Sequence, residues 1–215
     1  YQAEVLENWE SAKFRGLVKF CTGAGKTVVA LKAIEACFDD GFPVIVLVPS
    51  KLLLLQWKEE LCSEFPSAKL LVAGDGNNLW RDRRVLRSHL NPSESQAHDM
   101  IVLSTMDTAA SEEFLKNIRS NHIAVFVDEC HQIGSQFRSR FLETQPLRRL
   151  GLSATPERHG DIEGTEKVFN YFGNVLDPVI DIPKAIELER LVPYHYDLSF
   201  VYLNEDEDER YLALS

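Results

Sequence analysis

Six short, mostly apolar runs, separated by segments of helical period, constrain this chain more than any other feature. They are Leu17-Val18-Lys19-Phe20, Val44-Ile45-Val46-Leu47-Val48, Lys69-Leu70-Leu71-Val72-Ala73, Met100-Ile101-Val102-Leu103, Ile123 to Val127 and Leu150-Gly151-Leu152. A strand apolar at successive positions has both faces covered. That arises when helices connect parallel strands across a sheet. The intervening segments fit. Thr27 to about Phe38 reads as a helix with Val28, Val29, Leu31, Ile34 and Ala36 apolar, and Gly41 supplies its stop. Ser50 can cap a second helix running through Leu53, Trp57 and Leu61 towards Phe65. The expected fold is a three-layer α/β domain around a mainly parallel central sheet.

Two regions depart from this alternation. The polar stretch from Asn77 to Asp99 lacks a clear period and reads as a surface excursion with one helix around Leu79 to Leu90. After Pro183 the pattern changes: Ala185 to Leu191 reads as a short helix, and Tyr194 to Leu203 alternates like a strand. We therefore expect one domain over residues 1–183, with 184–215 a linker or the start of a second domain.

Bulk properties exclude several classes. No apolar run approaches the roughly 20 residues that span a bilayer, and the chain, opening on Tyr1-Gln2, is expected to carry no secretory signal. Cys21, Cys37, Cys62 and Cys130 form no Cys-x-x-Cys pair, which favours reduced thiols and an intracellular, cytoplasmic or nuclear, setting over a disulfide framework. The net charge of −10 is uneven, because residues 197–215 hold six acids against one base. Arg81, Arg83, Arg84 and Arg87, then Arg138, Arg140, Arg148 and Arg149, form local basic groups. Such groups are ordinarily solvated faces, but a groove-lining patch need not set the net charge.

Residues 21–27 read Cys-Thr-Gly-Ala-Gly-Lys-Thr, after a strand and before a helix. That context marks a phosphate-binding loop. Gly23 and Gly25 let backbone N–H groups converge at a helix N-terminus, which favours anions. Lys26 is placed to reach β- and γ-phosphates, and the Thr27 hydroxyl to ligate magnesium. The general pattern has glycine where this chain has Phe20.

Asp128 and Glu129 end an apolar strand, and a parallel sheet presents ligands at the carboxyl ends of its strands. Asp128 is expected to hold Mg2+. Glu129 is expected to orient the attacking water as general base. Gly151-Leu152-Ser153-Ala154-Thr155-Pro156 ends the next strand, and its hydroxyls can reach His131 or Glu129 and sense the γ-phosphate.

Thr-Gly-Ala-Gly-Lys-Thr, Asp-Glu-Cys-His and Leu-Ser-Ala-Thr-Pro-Glu-Arg, in this order and spacing, resemble motifs I, II and III of superfamily-2 DExH-box helicases and translocases. The likeness is to the XPB-type and type I/III restriction-type branch, and it extends to Tyr1-Gln2, Val48-Pro49-Ser50 with Gln56-Trp57, and Leu103-Ser104-Thr105 through Thr108-Ala109. The resemblance implies a RecA-like first motor domain that uses ATP and Mg2+. Gln2 would contact adenine. Thr22, Gly23, Ala24, Gly25, Lys26 and Thr27 would bind the nucleotide. Thr27 and Asp128 would hold the metal, and Lys26, Asp128, Glu129 and His131 would act in hydrolysis. Ser153, Ala154 and Thr155 would couple hydrolysis to movement. Pro49, Ser50, Ser104 and Thr105 would lie near the phosphate backbone of DNA, or of RNA. The resemblance places arginine fingers in a second RecA-like domain. Arg158 stands too near motif III for that role, so the chain alone is expected to hydrolyse ATP very slowly. Two other readings stay open: a nucleotide-responsive scaffold with vestigial hydrolysis, and the motor part of a restriction-type endonuclease.

Overall fold

The structure, a computed structural model, describes residues 1–91, 99–193, 197, 198, 204, 207, 210 and 211. Among these, seven strands form one sheet, β1 (Arg15–Phe20), β2 (Val44–Val48), β3 (Lys69–Ala73), β4 (Met100–Thr105), β5 (Ala124–Asp128), β6 (Arg148–Ser153) and β7 (Val175–Ile180). Their order is β3-β4-β2-β5-β6-β1-β7, and every pairing is parallel. The longer helices are α1 (Gln2–Ser11), α2 (Lys26–Asp39), α3 (Lys51–Glu64), α4 (Arg83–Leu90) and α7 (Ile162–Phe172), with shorter α5 (Met106–Ala109), α6 (Glu112–Leu115) and α8 (Ile182–Glu187). The three-layer RecA-like arrangement expected from the sequence is the fold.

The continuous apolar runs divide their side chains between two cores. Val44, Val46, Val48, Ala124 and Phe126 face one side with Trp9, Val29, Ile34, Leu54 and Trp57. Ile45, Leu47, Val125 and Val127 face the other with Leu86, Met106, Phe114, Phe141 and Phe172. Successive strand residues point to opposite faces, so one run fills both layers.

Several elements lie outside the expectations, among them α1, α7 and β7. Helix α1 buries only Val5 and Trp9, too few for a periodic signal. Helix α7 follows the third motif, with Asp161 accepting the Gly164 N–H as its cap. Strand β7 carries Pro178 and pairs only with β1, which is the edge position a proline tolerates. The short helix expected from Ala185 to Leu191 instead begins at Ile182. Asp181 caps it, and Pro183 sits in its first turn, where a missing N–H costs nothing. Ala185 is fully buried in the same core as α1 and α2. Most of the strand expected over 194–203 lies outside the described residues.

The arginine groups divide: Arg148 and Arg149 are buried, whereas Arg81 and Arg140, like Arg83 and Arg84, lie on the surface. Arg148 is sandwiched between Phe14 and Phe42, 4.0 and 4.1 Å from their ring centroids, and pairs with Asp40 at 2.6 Å. Arg149 donates to the Pro146 and Tyr171 carbonyls at 2.9 and 3.1 Å. Arg138 forks onto Asp107 at 2.8 and 2.9 Å, and Arg81 meets Glu113 at 2.6 Å.

Candidate nucleotide site

The strand order decides what meets what. Strand β6 lies between β5 and β1, so the loops after these three strands sit side by side at one edge of the sheet. In register, Asp128 pairs with Leu152, Val18 pairs with the same Leu152, and Lys19 pairs with Ser153. Residues from near positions 25, 130 and 155 thus share one surface.

The loop expected to bind phosphate leaves β1 at Phe20. Phe20 is fully buried, and its ring meets Tyr1 edge-on at a 5.5 Å centroid distance. A side chain is tolerated where the general pattern has glycine because positive φ occurs later, at Gly23 (+83°) and Gly25 (+88°). Gly25 is the N-cap of α2 and offers no side-chain acceptor to the helix. The first N–H groups of α2 therefore point out of the helix end, as an anion site requires. Lys26 Nζ lies 3.0 Å from the Phe20 carbonyl, across the loop. Gln2 covers the loop: a Cβ on Gly25 would collide with Gln2 Nε2. Tyr1 donates its hydroxyl to the Ala24 carbonyl at 3.1 Å. An open groove of about 580 Å³ beside this corner is lined by Tyr1, Glu4, Ile180, Lys184 and Leu188 among others.

At the end of β5, Asp128 Oδ1 accepts the Glu129 N–H at 2.9 Å and Oδ2 accepts the Trp57 indole N–H at 2.9 Å. Glu129 has φ +48°, a left-handed conformation rare for a residue with a side chain and typical of sites where geometry outranks local comfort. His131 Nδ1 lies 3.5 Å from Glu129 Oε2 and 3.0 Å from Ser153 Oγ. Ser153 is fully buried and its Oγ also accepts the Thr155 N–H at 3.0 Å. Burial lowers the His131 pKa below its ordinary value; Glu129 opposes the shift and Arg158 adds to it. Cys130 is fully buried between these residues, and burial pushes its thiol far up, so it packs rather than reacts. Thr27 and Asp128 offer hard oxygen donors of the kind magnesium takes, usually alongside nucleotide phosphates.

Arg158 donates to the His131 carbonyl and, at 2.7 Å, to Asp161 Oδ2, so it braces its own domain. Ser50 caps α3, its Oγ accepting the Leu53 N–H at 3.3 Å. Ser104 is fully buried and donates to the Thr105 carbonyl at 3.0 Å, while Thr105, 8% exposed, caps α5. Pro49 is half-buried, and its carbonyl accepts from Arg138 Nη2 at 3.4 Å. Sequence reasoning missed two contacts: the Trp57 indole N–H on Asp128, and Arg138, which joins the Pro49 turn, Asp107 and Gln132. The distances that define both run between residues far apart in the chain.

A family model described as type III restriction enzyme, res subunit, matches residues 1–158. This chain belongs to that family. The Rad25 relative of Halobacterium salinarum is 30% identical over 98% of this chain and 31% of its own length. The DNA 3'-5' translocase XPB2 of Sulfurisphaera tokodaii is 26% identical over 100% of this chain and 42% of its own length. The chain thus spans less than half the length of the curated relatives it matches here. Among solved structures, a nuclease-deletion mutant of the Type ISP restriction-modification enzyme LlaGI with a DNA substrate mimic matches at TM-score 0.65 and 19% identity. That match covers 88% of this chain and 20% of that one, a likeness of fold.

Proposed function

We propose that this chain is the nucleotide-binding motor domain of an ATP-dependent DNA helicase or translocase. The observation that carries the reading is the convergence of three loops at adjacent strand ends, after β1, β6 and β5. It brings Lys26 and Thr27, Ser153 and Thr155, and Asp128, Glu129 and His131 to one surface. DNA is preferred because the Sulfurisphaera tokodaii relative is named a DNA translocase.

In this reading the α2 N-terminus and Lys26 bind the triphosphate, and the groove beside Tyr1 receives the base, with Gln2 contacting adenine after it lifts from Gly25. Thr22, Gly23 and Ala24 complete the cradle. Thr27 and Asp128 hold magnesium, which when bound neutralises charge at the phosphate oxygens. Glu129 orients the attacking water and takes its proton. His131, Ser153, Ala154 and Thr155 relay the change at the γ-phosphate. Pro49 and Ser50 lie nearer the surface than Ser104 and Thr105, so the grip on the nucleic-acid backbone falls first to the turn before α3. Residues 1–183 form the body of the first motor domain, α8 still packs on it through Ala185, and the residues up to 215 lead towards a second, which supplies the arginine fingers.

The test is steady-state ATP hydrolysis by the full-length protein with duplex DNA, single-stranded DNA, RNA or no nucleic acid, beside Lys26→Ala. Duplex-stimulated turnover that Lys26→Ala abolishes is expected. Stimulation by RNA alone would reassign the substrate, and turnover indifferent to every nucleic acid would sink the motor reading.

A further inference from the structure

Asp128 is held from a direction its own strand does not supply. Trp57 lies two turns into α3, 2% exposed, and its Nε1 stands 2.9 Å from Asp128 Oδ2. Oδ1 takes the Glu129 N–H at the same 2.9 Å. Each carboxylate oxygen thus has one fixed donor, and each keeps a further lone pair. The indole N–H is a donor only and sits on a ring with two torsions, so a buried tryptophan offers one direction and cannot redirect it. Leu54 and Leu61 are buried with Trp57 on the same face of α3, in the same core.

Burying an indole does not by itself require a carboxylate. Trp9, equally 2% exposed, donates its Nε1 hydrogen to the Arg149 carbonyl at 2.9 Å, an ordinary backbone solution. Trp57 meets the one carboxylate that the site reading assigns to the metal. A charge-assisted bond of this kind is stronger than a neutral one and directional.

We infer that Trp57 is a positioning residue for Asp128, fixing the carboxylate plane so that its remaining lone pairs face the metal carried with the nucleotide. This rests on the proposed role of Asp128. Groups that orient a metal ligand typically carry about 10- to 100-fold of the metal affinity.

The test is binding of the fluorescent nucleotide mant-ADP to the chain, with and without Mg2+, for wild type, Trp57→Phe, Asp128→Asn, the double variant and Lys26→Ala. Phenylalanine keeps an aromatic ring and removes the N–H. Trp57→Phe is expected to raise the Mg2+ concentration for half-maximal enhancement by about 10- to 100-fold, with Mg2+-free binding as in wild type. In the Asp128→Asn background, Trp57→Phe then costs nothing further. Wild-type Mg2+ dependence in Trp57→Phe overturns the positioning role, while loss of binding in Lys26→Ala leaves the nucleotide site standing. If wild type binds no mant-ADP, or Lys26→Ala binds it equally well, the nucleotide reading falls and this inference with it. Should Trp57→Phe lose its near-UV circular dichroism, benzothienylalanine at position 57 repeats the comparison, since it keeps the bicyclic shape and replaces only N–H by sulfur.

Discussion

His131 Nδ1 and Ser153 Oγ stand 3.0 Å apart, although 22 residues separate them in the chain. The same hydroxyl accepts the Thr155 N–H at 3.0 Å. One oxygen therefore joins the turn after β5 to the turn after β6. Ser153→Ala removes both bonds, each worth about 0.5–1.5 kcal/mol, and the exposed Thr155 can turn its N–H to water. If that joint transmits the state of the nucleotide, DNA-stimulated turnover falls about tenfold or more while mant-ADP affinity holds. Undiminished stimulation in Ser153→Ala would show that the joint is structural only.

Burial and the neighbouring Arg158 guanidinium favour neutral His131, and Glu129 offsets them in part. The folded pKa is lower than the unfolded one, so below the ordinary value the unfolded chain binds the proton more readily. The His131 contribution to stability is complete above that value, near pH 6.5, and is lost as pH falls through the lower folded value. An NMR titration should place the His131 midpoint below 6.5, and Arg158→Gln should raise it. A midpoint at or above 6.5 contradicts the expectation.

Glu129→Gln keeps the size of the side chain and removes the proton acceptor. Turnover of the full-length protein is expected to fall about 10²- to 10⁴-fold, with nucleotide binding retained. Activity within a few-fold of wild type would favour the scaffold reading and a vestigial site.

Gly151 has a packing role. A Cβ there would lie 2.6 Å from Leu17 Cδ2 and 3.0 Å from Cys130 Sγ. Leu17 is on the adjacent strand, and Cys130 is the fully buried residue between Glu129 and His131. Gly151→Ala is expected to cost about 1–3 kcal/mol of stability through overpacking, read as a lower Tm. An unchanged Tm would mean that the Cys130 turn moves aside freely.

Fold class was legible because the signal is local. Five apolar residues at Val44–Val48, a glycine stop at Gly41 and a serine cap at Ser50 each act within a few residues of themselves. The turn expected to bind phosphate was legible as a turn for the same reason: Gly23, Gly25, Lys26 and Thr27 form one loop and its helix start. Elements with weak local patterns escaped. Helix α1 buries two residues of ten, and β7 is interrupted by Pro178. Their places depend on what they pack against, above all β1.

The chain by itself determined which residues carry charge, which glycine turns admit positive φ, and which strongly patterned segments form helix or strand. These follow from side-chain chemistry and short-range sterics. Tertiary structure alone decided that β6 enters between β1 and β5, that the Trp57 N–H points at Asp128, and that Arg138 joins Asp107 to the Pro49 turn. Each of these is a contact between residues tens of positions apart. It forms only when burial of both sheet faces fixes strand order, and no local pattern encodes that order.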